Sequence, residues 1–144
     1  MIAQVMHLPH LLELPEQFEV AALCDISPGT VRAVAEKYGI AHTYTDHRDM
    51  LAQADVDAVL VLTPNHARPA IDAVRAGKHV LIEKPMCNNL EEADELLDAA
   101  RASGVVGMVA YHKRYDPGYR VGQAAIRTLE RPHLIDLHDV IGPN

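Results

Sequence analysis

Four short polar clusters hold the residue types that could do chemistry: Asp25-Ile-Ser27, Thr63-Pro-Asn65, Glu83-Lys-Pro85 and Tyr111-His-Lys-Arg-Tyr115. Among them they offer carboxylates, hydroxyls, an amide, an imidazole and fixed cations. Each cluster directly follows a short apolar run. Any chain must leave a sheet through polar residues, so one such cluster carries little weight. Four at corresponding places in a single pattern mark a shared edge and a site along it, because ligands of open parallel sheets bind beyond the carboxyl ends of the strands.

The elements that must position these clusters follow from hydrophobic patterning. The runs Val20–Cys24, Ala58–Leu62, Val80–Ile82 and Val105–Ala110 are rich in Val and Leu. They are too continuously apolar to have a wet face, so they read as parallel strands covered by helices on both sides. Between them lie segments of helical period with clear punctuation. Ser27 can cap a helix whose first turn suits Pro28 and which Gly39 stops. Ala70, Ile71 and Val74 make an apolar stripe between Asn65 and Gly77. From Asn89 to Ser103 the stripe is Leu90, Ala93, Leu96, Leu97 and Ala100, with Glu91, Glu92, Asp94, Glu95 and Asp98 facing water; Asn89 caps it and Gly104 ends it. Right-handed crossovers then set the strands of 58–62 and 80–82 side by side.

The ends break this pattern. Residues 2–14 have helical spacing, yet no strand precedes them, although a doubly wound sheet normally begins with one. Residues 116–129 read as another helix. Residues 133–141 read as a strand alternating Ile135 and Leu137 with Asp136 and His138, which suits an antiparallel sheet with one wet face. The expectation is an α/β protein: a doubly wound parallel sheet lacking its first strand over 1–118, then a linker helix and the first strand of a second, truncated α/β domain over 119–144. No internal repeat or low-complexity segment is present.

Composition excludes several classes. The 144 residues are 49% hydrophobic and 23% charged, which fits a folded domain able to bury a core without staples. A net charge of -7, with no basic cluster longer than Lys113-Arg114, argues against nucleic acid or an anionic membrane as partner. The longest apolar run is far short of a membrane span, and no basic segment followed by an apolar stretch opens the chain. Cys24 and Cys87 read as reduced thiols of a cytoplasmic protein. His7 and His10, three apart, and His133 and His138 lack the Cys or acidic partners of a metal site and read as surface residues. No metal is expected.

Asp25 stands where a dinucleotide fold needs an acid, at a strand end, to accept hydrogen bonds from the adenosine ribose hydroxyls. A helix cap or solvated turn explains it equally well. The glycines that should precede it are not in this sequence, although Ala3 can occupy the third, small position of a Gly-x-Gly-x-x-Ala fingerprint.

Taken together, Thr63-Pro-Asn65, Ala76-Gly-Lys-His-Val-Leu-Ile-Glu-Lys-Pro85 and Tyr111-His-Lys-Arg-Tyr-Asp-Pro117 resemble the glucose-fructose oxidoreductase, inositol dehydrogenase and MocA family of NAD(P)-dependent oxidoreductases. The resemblance runs over nearly the whole chain, and the Gly-Lys-His-Val with Glu-Lys-Pro combination is its most specific part. It implies a Rossmann domain joined to an α/β domain that holds a sugar, cyclitol or related polyol and frequently mediates homo-oligomerisation. NAD is the implied cofactor, with NADP less favoured. Ala3, Asp25, Ile26, Thr63, Pro64, Asn65, His66, Glu83 and Lys84 are the implied cofactor-binding residues. Lys84 is singled out as catalytic, near the nicotinamide and the substrate oxygen, where a fixed ammonium favours alkoxide character as hydride departs. Its bland alternative is a surface lysine at a strand end. Glu83 would orient Lys84, and Pro85 would fix the turn, with a cis bond as one way of doing so. Tyr111, His112 and Arg114 would face the domain junction and hold substrate together with Lys84, although ordinary exposed polarity accounts for these three about as well.

Two departures stand out. The family commonly carries an Asp-x-x-x-His pair in its second domain, and no Asp here has a His four residues later. The family also often has a histidine where Arg68 stands, whereas here His66 follows Asn65 directly. The leading expectation is a hydride-transferring oxidoreductase whose 144-residue piece is inactive alone. The rival from a different class is a non-catalytic regulator that senses the dinucleotide on the same fold.

Overall fold

The computed structural model describes residues 2–130. The chain divides into two compact units, Met1–Ala110 and Tyr111–Asn144. The strand expected at 133–141 lies outside the described residues.

The first unit opens with a wide π-helical stretch, Ala3–His7, running into α1, Leu8–Leu12. Then come β1 (Ala22–Cys24), α2 (Pro28–Tyr38), β2 (His42–Tyr44), α3 (His47–Gln53), β3 (Ala58–Val61), α4 (Ala67–Arg75), β4 (His79–Ile82), α5 (Leu90–Ser103) and β5 (Gly107–Val109). All pairing is parallel. β1 pairs with β2, and separately β3, β4 and β5 form a three-stranded sheet in that order. The second unit begins with a 3-10 turn, His112–Tyr115, followed by α6, Pro117–Ile126.

The punctuation read from the sequence acts as expected. The Ser27 hydroxyl accepts from the Thr30 N–H, Pro28 opens α2, and Gly39 ends it at φ 71°, in the left-handed region where a side chain would be strained. The Asn89 side chain accepts from the Glu92 N–H, and the Glu92 carboxylate in turn accepts from the Asn88 N–H, closing a cap on α5.

Two clusters form the core. Leu8, Ala35 and Ile40 gather against Val20, Leu23 and Tyr38 beside the first sheet. Val61, Ala70, Ile71, Ala73, Val74, Val80, Ile82 and Leu96 fill the second, so that α4 and α5 cover the β3–β4–β5 sheet.

Four sequence expectations need correction. The pair β2 and α3 lies in a stretch where no element was expected; His42-Thr-Tyr44 is too short and polar to show a period, and parallel pairing to β1 supplies the order that patterning lacks. The apolar runs are not uniformly covered: β1 is only half-buried, and Val106 and Met108 are exposed at β5, which among the described residues pairs with β4 alone. The α5 stripe is narrower than its spacing implied, since Leu96 is buried while Leu90 and Leu97 are exposed. Its acidic face is not wholly solvated either, since Glu92 caps the helix and Glu95 pairs with Arg75 at 2.9 Å.

Candidate active site

Parallel register carries the ends of β3 and β4 out of the sheet side by side. Val61 lies opposite Ile82, and the Glu83 N–H bonds the Val61 carbonyl. The turn Thr63–His66 and the segment Glu83-Lys84-Pro85 therefore start as neighbours on one edge. Within the first turn the Thr63 hydroxyl donates to the Asn65 carbonyl at 2.8 Å. Across the two, the Asn88 side-chain amide donates to Asn65 Oδ1 at 3.4 Å. Thr63, Pro64 and Asn65 are exposed; His66, at the start of α4, is buried. The Lys84-Pro85 bond is cis.

Lys84 stands exposed at this edge, its ammonium without a hydrogen-bond partner among the described residues. The sequence reading has Glu83 orient Lys84, and the Glu83 carboxylate meets that residue at its backbone. Its Oε2 accepts the Lys84 backbone N–H at 3.1 Å, and its Oε1 accepts from His7 Nε2 at 3.0 Å. Burial opposes the Glu83 charge most strongly of any single influence. The His7 hydrogen bond, the Lys84 N–H and the charges of both residues together outweigh it and hold the carboxyl below its ordinary value. His7 is therefore not a surface residue; its side chain is 17% exposed and Glu83's 14%. Sequence reasoning missed it because its partner is 76 residues away. The available signal was its place four residues after Ala3, on the same helical face.

Asp25 and Ile26 close the end of the other sheet. The Asp25 N–H continues the ladder to the Tyr44 carbonyl, and Asp25 Oδ1 accepts the Ser27 N–H at 2.8 Å. The expected turn role is thus real. It leaves Oδ2 with no partner among the described residues, and Ile26 beside it is 92% exposed. An acceptor and an apolar side chain at one strand end suit a ribose hydroxyl and the face of an adenine ring. The donor set fits the two ends of a dinucleotide. It lacks the phosphate turn, since the first glycine in the sequence is Gly29.

Ala3 lies half-buried in the first helical turn. Tyr111, His112 and Arg114 are exposed residues at the start of the second unit, where the Arg114 N–H bonds the Tyr111 carbonyl. Both cysteines are free thiols, and neither is fully buried. Among the described residues no group of three His, Cys, Asp or Glu could hold a metal, and no helix is long and apolar enough to cross a membrane.

An oxidoreductase family with an NAD-binding Rossmann fold, GFO_IDH_MocA, matches residues 1–111. The chain belongs to that family, and its parallel strands and covering helices are the Rossmann fold. It is 29% identical over 136 residues to the uncharacterized oxidoreductase YrbE of Bacillus subtilis, covering 92% of this chain and 40% of that protein. It is 36% identical over 107 residues to the scyllo-inositol 2-dehydrogenase (NADP(+)) IolU of the same organism, covering 73% of this chain and 33% of the relative. Among solved structures, the WlbA dehydrogenase of Bordetella pertussis, in complex with NADH and UDP-GlcNAcA, superposes with a TM-score of 0.83 at 27% identity, covering 89% of this chain and 37% of that one. The chain thus spans 40% or less of the length of the proteins it resembles.

Proposed function

We propose that these residues form most of the cofactor domain of an enzyme that moves hydride between NAD and a carbinol of a sugar, cyclitol or related polyol. The observation that carries the reading is the exposed Lys84, presented beside Thr63–His66 by a segment whose carboxylate is braced on both oxygens. Oxidation of the carbinol to a carbonyl removes a hydride from its carbon and a proton from its hydroxyl, the proton leaving to solvent. NAD, when bound, supplies the hydride acceptor. Lys84 supplies a cation where the oxygen gains charge, an interaction stronger in the transition state than in the bound alcohol. Asn65, His66, Thr63 and Pro64 shape the neighbouring wall, Asp25 and Ile26 receive the adenosine end, and Tyr111, His112 and Arg114 are proposed as substrate-binding residues. The scyllo-inositol in one relative's name and the UDP-GlcNAcA in complex with another support the polyol class.

Asp25 also favours NAD over NADP, because a carboxylate repels a 2′-phosphate and Ile26 and Ser27 offer no cation. The test is a panel of polyols and sugars with NAD and NADP on the complete enzyme. NADH formation with a polyol supports the reading; cofactor binding with no turnover of any substrate in either direction favours a dinucleotide-sensing regulator instead.

A further inference from the structure

We infer that His7 is a positioning residue for Lys84, acting through Glu83. The inference rests on the catalytic reading of Lys84 for its consequence, and on geometry alone for its existence. The Glu83 carboxylate is a two-ended brace. One oxygen takes the imidazole N–H of His7 from the first helix, and the other takes the backbone N–H of Lys84. Because the carboxylate is planar and rigid, fixing Oε1 also fixes Oε2, so the helix that opens the chain sets where the Lys84 backbone begins. The His7–Glu83 pair is largely shielded from water, which strengthens that charge-assisted bond relative to an exposed one. His7 and Lys84 are the charged or titratable groups that act on Glu83.

This arrangement links two parts of a dinucleotide site with a single side chain. Ala3, which suits the third position of the dinucleotide fingerprint, and His7 lie on the same helical stretch, whereas Lys84 lies just beyond the end of β4. Any cofactor-induced settling of that stretch is passed to the lysine through 3.0 and 3.1 Å contacts. No other hydrogen bond among the described residues joins the first helix to the edge of the second sheet.

The experiment uses this chain and three variants, His7→Phe, His7→Gln and Glu83→Gln, followed by residue-resolved NMR. His7→Phe keeps the ring and removes the donor; His7→Gln keeps an N–H of similar reach. The expected result is that the Lys84 amide exchanges about tenfold faster in His7→Phe and Glu83→Gln, while the amides of Val80 and Ile82 keep their parent rates. The Glu83 carboxyl should titrate higher in His7→Phe, and His7→Gln should restore the Lys84 amide toward the parent. Unchanged Lys84 exchange in His7→Phe overturns the proposal. So does acceleration spread evenly over the β4 amides, since a merely structural histidine would loosen the whole unit. A second arm measures kcat and KM of the complete enzyme: His7→Phe should lower kcat about tenfold, with KM for NAD changed less. If the parent turns nothing over, the proposed function fails while the amide result still decides the brace. If the parent is active and His7→Phe keeps its kcat, the positioning role is refuted.

Discussion

The three leucines of α5 allow a direct test of how burial, rather than spacing, assigns stability. Leu90, Leu96 and Leu97 share one apolar stripe in the sequence, but they are 79%, 4% and 45% exposed. Leu96→Ala removes three carbons from the cluster formed with Ile71, Val74 and Ile82. At about 0.8 kcal/mol per carbon the transfer cost is roughly 2.4 kcal/mol. A residual cavity between two helices and a sheet raises the total to about 3–4 kcal/mol. Leu90→Ala loses almost no burial and should stay within about 0.5 kcal/mol. Leu97→Ala should cost about 1 kcal/mol. Urea unfolding followed by circular dichroism reads all three, and with a slope of about 1.5 kcal/mol per molar, Leu96→Ala lowers the midpoint by about 2 M. Equal midpoint shifts for Leu90→Ala and Leu96→Ala would refute the reasoning, because they would mean that the whole stripe is buried.

Other outcomes follow from the same structure. Asp72 accepts from His47 Nε2 at 2.9 Å and pairs with Arg68 at 3.0 Å, tying α3 to α4. Burial works against its charge most strongly, yet these partners together hold its carboxyl below the ordinary 3.8. The folded value is depressed, so the stabilisation is present above 3.8 and lost as pH falls through the folded value. Asp72→Asn should therefore destabilise by about 1 kcal/mol at pH 7, with the gap closing in acid, as read by unfolding midpoints across pH. The Cys24 thiol is pushed up to about 11 by burial and by Asp46, Asp25 and Asp49. Its alkylation by iodoacetamide at pH 8 should be about a hundredfold slower than that of a thiol at 9, a gap that mass spectrometry can follow and that a fast reaction would disprove. In the complete enzyme Asp25→Ser should narrow the preference for NAD over NADP, and a parent kcat/KM favouring NADP would overturn that assignment. The 144 residues alone, lacking a glycine turn for the pyrophosphate, should show little or no turnover and weak cofactor binding at best; ordinary dehydrogenase rates would contradict this.

Local chemistry was the legible part of the fold. Ser27, Gly39, Asn89 and Gly104 act on their own helix ends, and each does what its type and place predict. The Ala70-Ile71-Val74 stripe was legible for the same reason, since one helical face meets one sheet. What escaped was set by distant neighbours. β2 has little apolar content of its own and is ordered by pairing with β1. Leu90 has the right spacing but no packing partner among the described residues that buries it, and it stays 79% exposed. In the candidate site, the strand-end clusters at 63–65 and 83–85 were visible because a parallel sheet must deliver them to one edge. The role of His7 was not visible, because a histidine three residues from another on a short helix looks solvated until the fold brings Glu83 to it.

The central claim is that Lys84 acts on the reacting oxygen, and single-turnover hydride transfer in the complete enzyme tests it most directly. Lys84→Ala should slow transfer roughly a hundredfold, the loss of about 3 kcal/mol expected for one preorganised donor, while a fluorescence titration shows NADH affinity little changed. Lys84→Arg should rescue only in part, since a planar guanidinium cannot place one donor where the ammonium sits. An alanine variant that transfers hydride at near the parent rate, or that loses only cofactor affinity, would contradict the account and leave Lys84 a cofactor-contact or surface lysine.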